Sequence, residues 1–123
     1  MEKFSIRKRI KSFTYAWKGI GSFIGKEHNA WIHLTITTAV IVSGFLLNIT
    51  SAEWIAIVLS IALVLSAEAF NTAIERLVDL TSPEENYIAG DVKDIAAGAV
   101  LICALAAATV GLIIFVPYLI RLL

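Results

Sequence analysis

Glu68, Asn71, Glu75 and Asp79 stand at spacings of three, four and four within Ser66 to Asp79, directly after a long apolar run. On an α-helix, at about 100° per residue, these spacings gather all four side chains into one stripe about 80° wide. Thr72 sits at its edge. Three carboxylates on one face repel each other unless a cation lies between them. Clustered acids with few histidines and no thiolate pair suit a hard divalent ion such as Mg2+, which prefers oxygen ligands. The plainer alternative is a set of interhelical hydrogen bonds that only holds a bundle together.

The elements that position this stripe are apolar ones. The chain has 123 residues, is 59% hydrophobic and 16% charged, and has a mean hydropathy of +0.83. That composition excludes a soluble domain of this size and reads as a single-domain, all-α integral membrane protein. The formal net charge of zero hides an asymmetry. Lys3, Arg7, Lys8, Arg9, Lys11, Lys18 and Lys26 are seven of the ten basic residues, all in the first 26 positions. The positive-inside rule then sets the N-terminus in the cytoplasm. A basic arm that runs straight into an apolar span is not read as a nucleic-acid binder. No secretory cleavage pattern is present. Cys103 lies in an apolar run and reads as a packing residue.

Residues 1–25 read as an amphipathic surface helix, because Ile6, Ile10, Phe13, Trp17, Ile20 and Ile24 recur at alternating spacings of four and three. Its glycines are expected to loosen it where the chain turns. Three spans are expected at 30–51, 53–80 and 92–120, joined by an external turn near Asn48 to Glu53 and a cytoplasmic loop at Glu84 to Gly90. The second span is longer than a bilayer needs, so Glu75, Arg76 and Asp79 should emerge on the cytoplasmic side with Glu68 deeper. Asp91 and Asp94 are expected in the first turn of the third span, where acids suit the helix dipole. The small residues of its first half permit close helix approach. Arg76 reads as a lipid-phosphate anchor or a surface charge. His28 and His33 read as interfacial polar residues.

Glu27, Glu75, Asp79, Lys93 and Asp94 thus share one membrane face, with Glu68 below them. A cation beside a lysine at that surface suits polyphosphate, and a carboxylate set toward the lipid could take the proton of a lipid hydroxyl. The parts imply phosphoryl transfer from ATP to a lipid alcohol. The alternative is a proton-coupled or multidrug transporter that carries its proton on Glu68. No Walker A, HRD or GxGxxG motif occurs, so neither a P-loop enzyme nor a protein-kinase fold is indicated.

Glu68-Ala-Phe-Asn-Thr-Ala-Ile-Glu-Arg-Leu-Val-Asp79, joined to Lys93-Asp-Ile-Ala-Ala-Gly-Ala-Val-Leu101, resembles the prokaryotic diacylglycerol kinase family, which includes the undecaprenol kinases. Trp17-Lys18-Gly19, with Glu27 ten residues past the tryptophan, resembles that family's N-terminal region. The resemblance covers about residues 4–120. It implies a homotrimeric multi-pass kinase of the bacterial cytoplasmic membrane, with three spans and a surface helix per subunit and active sites shared between subunits. It implies Glu68 as the base, with Asn71 nearby, Glu27 and Glu75 as ligands of the Mg2+ that bridges the ATP phosphates, and Lys93 on the phosphates with Asp94 orienting. Lys8, Tyr15, Asp79, Glu84, Glu85 and Asn86 fall where the family meets nucleotide. Lys8 and His33 depart from the best-known branch, which has Arg and an acid there. The stretch Ala67 to Leu80 resembles the undecaprenol-type branch slightly more than the diacylglycerol-type one.

Overall fold

The computed structural model describes residues 2–123, and its regular structure among them is four α-helices. Helix α1 spans Ile6–Lys26, α2 His28–Leu47, α3 Ser51–Thr81 and α4 Tyr87–Leu122. The last three are long and apolar enough to cross a membrane. At ~1.5 Å per residue, α3 and α4 reach ~46 and ~54 Å, well beyond the ~30 Å of a hydrocarbon core. Both therefore carry polar ends outside it.

Each helix start has a local cause. Ser5 caps α1 by accepting from the Lys8 amide, and Thr50 caps α3 in a full capping box with Glu53. Asn86 caps α4 by accepting from the Ala89 amide at 2.8 Å. That cap starts α4 at Tyr87, earlier than the sequence suggests. Tyr87 to Gly90 are helical, not loop, and Asp91 and Asp94 lie beyond the first turn, which holds no acid. Helix α1 also runs unbroken through Gly19, Gly21 and Gly25, with no turn at Trp17-Lys18-Gly19. A lone glycine costs a helix only about 1 kcal/mol against alanine, too little to interrupt 21 residues.

Helices α3 and α4 form the extensive pair, whereas α1 and α2 touch α3 at few places. The core lies at the end of the bundle by the α2–α3 turn, where Ile49, Ile57 and Ile114 are buried against Trp54, Val110 and Tyr118. Helix α2 stops there because Asn48 takes the left-handed conformation (φ 54°), letting the Ile49 amide reach back to the Gly44 carbonyl. Gly44 is buried under the Trp54 ring, which would lie 2.7 Å from an added Cβ. Glu53, already in the cap, also accepts from the Tyr118 hydroxyl at 2.5 Å, tying α3 to α4.

Gly44→Ala is expected to destabilise the fold by about 1–3 kcal/mol through overpacking and so lower the thermal midpoint in detergent micelles. Gly21→Ala, with open space around it, should hold or raise the midpoint. Equal midpoints for Gly44→Ala and wild type in a circular-dichroism melt would show that the tryptophan yields freely.

Candidate functional site

The polar stripe of α3 meets a different neighbour at almost every turn. Glu68 is 7% exposed among apolar side chains, and its Oε1 lies 2.7 Å from Nε2 of His33 on α2. His33 is therefore not a free interfacial residue but the partner of the most buried acid. One turn on, Asn71 donates through Nδ2 to Glu75 Oε1 at 3.3 Å, while its Oδ1 is buried without a partner. Thr72 is buried beside them. At the end of the stripe, Asp79 accepts from Lys93 of α4 at 2.5 Å, a bond exposed to solvent that closes α3 on α4.

Arg76 is not left for a lipid phosphate. Its Nη1 donates to Ser22 of α1 at 3.0 Å, and its Nη2 lies 3.5 Å from Oε1 of Glu27 at the α1–α2 junction. One guanidinium thus fastens the first helix and its exit to α3. The planar fork suits two acceptors on different segments.

The remaining sequence-predicted residues spread further. Asp79, Glu84, Glu85, Asn86 and Lys93 line a cavity of about 540 Å³ under the α3–α4 loop. Asn86 is also the α4 cap and donates to the Ser82 hydroxyl at 3.1 Å. Asp94 is exposed, one position from that lining. Lys8 is paired with Glu2 at 2.8 Å, and Tyr15 is exposed with the Lys18 ammonium over its ring. Among the described residues no hydrogen bond joins either of them to α3 or α4. Beyond His33 an apolar groove of about 300 Å³ runs between α2, α3 and α4, walled by Ile36, Val40, Ile57, Val64 and Ala108. His33 is the only ionisable side chain on its wall among the described residues.

Among the described residues no group of three or more His, Cys, Asp or Glu is arranged to enclose a metal ion. An all-protein cage is not what Mg2+ requires, since it is commonly held by one or two carboxylates together with substrate phosphates and water. The oxygen donors here fit that pattern. Glu75 is half-buried beside the unpartnered Asn71 oxygen, and Glu27 lies against the adjacent turn of α3 through Arg76.

Sequence reasoning missed the His33–Glu68 pair and the Arg76 clamp. Depth carried a signal for the first. His33 lies 14 residues before the end of α2 and Glu68 17 residues after the start of α3. At ~1.5 Å per residue the two differ in depth by only about one turn.

Comparison with known proteins adds to this geometry. The family model of the prokaryotic diacylglycerol kinases matches residues 14–115. The undecaprenol kinase of Bacillus subtilis (strain 168) is 39% identical over 112 residues, which cover 91% of this chain and 91% of that protein. The diacylglycerol kinase of Synechocystis sp. is 38% identical over 115 residues, 93% of this chain and 66% of that one. The diacylglycerol kinase of Escherichia coli (strain K12) is 29% identical over 106 residues, 80% of each.

Arg76→Ala should release α1 and the α1–α2 junction from α3. The expected outcome is faster tryptic cleavage after Lys26 in micelles, with the rest of the helix content intact. An unchanged cleavage rate would mean that α1 is held by its apolar contacts alone.

Proposed function

The chain belongs to the prokaryotic diacylglycerol kinase family, and from that premise we propose how its residues divide the work of a membrane lipid kinase. ATP is the co-substrate of that activity. The transporter reading of Glu68 is set aside, because the matched family and relatives are kinases.

One observation carries the assignment of roles. Glu68 is buried at the inner end of a polar stripe that leads out to Lys93, and it is bonded to His33, which lines an apolar groove. In our reading a lipid hydroxyl reaches Glu68 from the hydrocarbon side, while the nucleotide approaches from the polar end. Glu68 accepts the hydroxyl proton as the oxygen attacks the γ-phosphorus, and ADP leaves. Asn71 orients groups between Glu68 and Glu75. Lys93, released from Asp79, gives its charge to the phosphates, with Asp94 beside it. Glu84, Glu85 and Asn86 border the nucleotide, and Lys8 and Tyr15 reach it from α1, which lies along the membrane surface.

Glu27 and Glu75 are the residues that would hold Mg2+. Bound there, the ion neutralises charge on the phosphate oxygens. The chain's own part would be to offer the two carboxylates, Glu75 with Asn71 bonded to it and Glu27 once it exchanges its contact with Arg76.

We further read the protein as a homotrimer of the bacterial cytoplasmic membrane, N-terminus inside, with sites completed between subunits. The local partners of Lys8 and Tyr15, with no hydrogen bond from either to α3 or α4 among the described residues, support sharing. The lipid is taken as undecaprenol before diacylglycerol, on the 39% identity that spans nearly all of both this chain and the undecaprenol kinase.

Purified protein in micelles with labelled ATP, Mg2+ and each lipid in turn tests the reading. Phosphorylation of undecaprenol above diacylglycerol is expected, and a reversed preference would reassign the lipid. Glu68→Gln should remove phosphoryl transfer by at least about 100-fold while nucleotide binding stays, a typical minimum for a lost general base. Full turnover in that variant would exclude Glu68 as the base.

Glu75→Gln should shift the Mg2+ titration of ATP binding to higher concentration. Superimposable Mg2+ curves for variant and wild type would remove Glu75 from the metal.

A further inference from the structure

We propose that His33 is a positioning residue for phosphoryl transfer, acting through Glu68. The proposal rests on the reading of Glu68 as the base. Its observation is the 2.7 Å bond between His33 Nε2 and Glu68 Oε1, with the imidazole 21% and the carboxylate 9% exposed.

A glutamate has three side-chain torsions, and its reactive oxygen is defined only if the other is held. His33 holds it. With Oε1 receiving the imidazole N–H, Oε2 makes no hydrogen bond among the described residues and remains to take a proton. Donation through Nε2 requires the proton on that nitrogen, the tautomer a carboxylate acceptor selects. The same bond compensates the carboxylate for the water it loses at this depth. Among the described residues no side chain other than His33 is hydrogen-bonded to Glu68, so the constraint has one source.

The step itself is ordinary. The lipid hydroxyl proton passes to Oε2 and the hydroxyl oxygen bonds to the γ-phosphorus. The bond from that phosphorus to the β,γ-bridging oxygen breaks, and ADP departs with its electron pair. What His33 supplies is aim. Misplacing a reacting group by about 1 Å can cost on the order of 100-fold in rate.

The test compares full-length His33→Leu, His33→Gln and Glu68→Gln with wild type in micelles. His33→Leu is expected to lower kcat by about 10- to 100-fold with KM for ATP unchanged. His33→Gln restores an N–H at similar reach and should recover most of that loss. With two histidines in the chain, 15N-histidine spectra add an independent signature. The His33 ring resonances should move in Glu68→Gln while those of His28 stay. Wild-type kcat in His33→Leu overturns the proposal, as does a leucine-sized loss in His33→Gln or an unmoved His33 resonance in Glu68→Gln. Should His33→Leu fail to fold, the glutamine variant and the spectra decide. Turnover retained in Glu68→Gln would instead overturn the base assignment. A dead Glu68→Gln beside a fully active His33→Leu would remove His33 alone.

Discussion

A carboxylate set among apolar helices has to find a donor, and the way Glu68 finds one constrains the rest of the bundle. Removing an acid from water without compensation costs several kcal/mol or more. Glu68 meets this by drawing His33 to 2.7 Å, which fixes the depth and rotation of α2 against α3. Helix α2 has few other attachments to α3. Its second one lies at the opposite end, where Gly44 admits the Trp54 ring. A span held by one polar bond and one steric fit is held at both ends and little between, where the groove of about 300 Å³ lies.

Helix α3 is accordingly the hub. Successive turns address α2 through Glu68, α1 and its exit through Arg76, and α4 through Asp79. Each contact is polar and sits on or next to the stripe. Surface ion pairs such as Asp79–Lys93 contribute little to stability, so that pair is better understood as keeping a lysine aimed at the cavity under the loop. Asn71 Oδ1 is the exception, buried and unpartnered. An orphan acceptor at the centre of such a stripe favours a site that is completed by something from outside the chain.

The three apolar helices and the α3 stripe were legible because both depend on period and composition, which a single sequence displays directly. The pairings across helices were not, since they depend on rotation as well as depth. His33 looked like an ordinary interfacial histidine for that reason, and Arg76, at the margin of the stripe, looked free. Two local signals were present and went unused. Thr50-Ser-Ala-Glu53 is a capping box, and Asn86 three residues before Ala89 is an N-cap, which would have started α4 at Tyr87. The glycines of α1 misled in the other direction, since a propensity cost of about 1 kcal/mol does not make a turn.

In lipid, apolar side chains gain little by leaving one greasy surface for another, so the hydrophobic effect does not pull spans together. Phe45, Leu46, Phe70 and Ile102 can stay exposed without implying a missing partner. Cohesion must then come from close backbone approach and from polar contacts. In this chain the polar contacts fall mostly on residues that the proposed chemistry also uses. Glu68 and Asp79 each join two helices, so a change at either alters the packing as well as the proposed chemistry. The histidine opposite Glu68 follows the same economy: the donor that makes a buried acid tolerable is also the group that aims it.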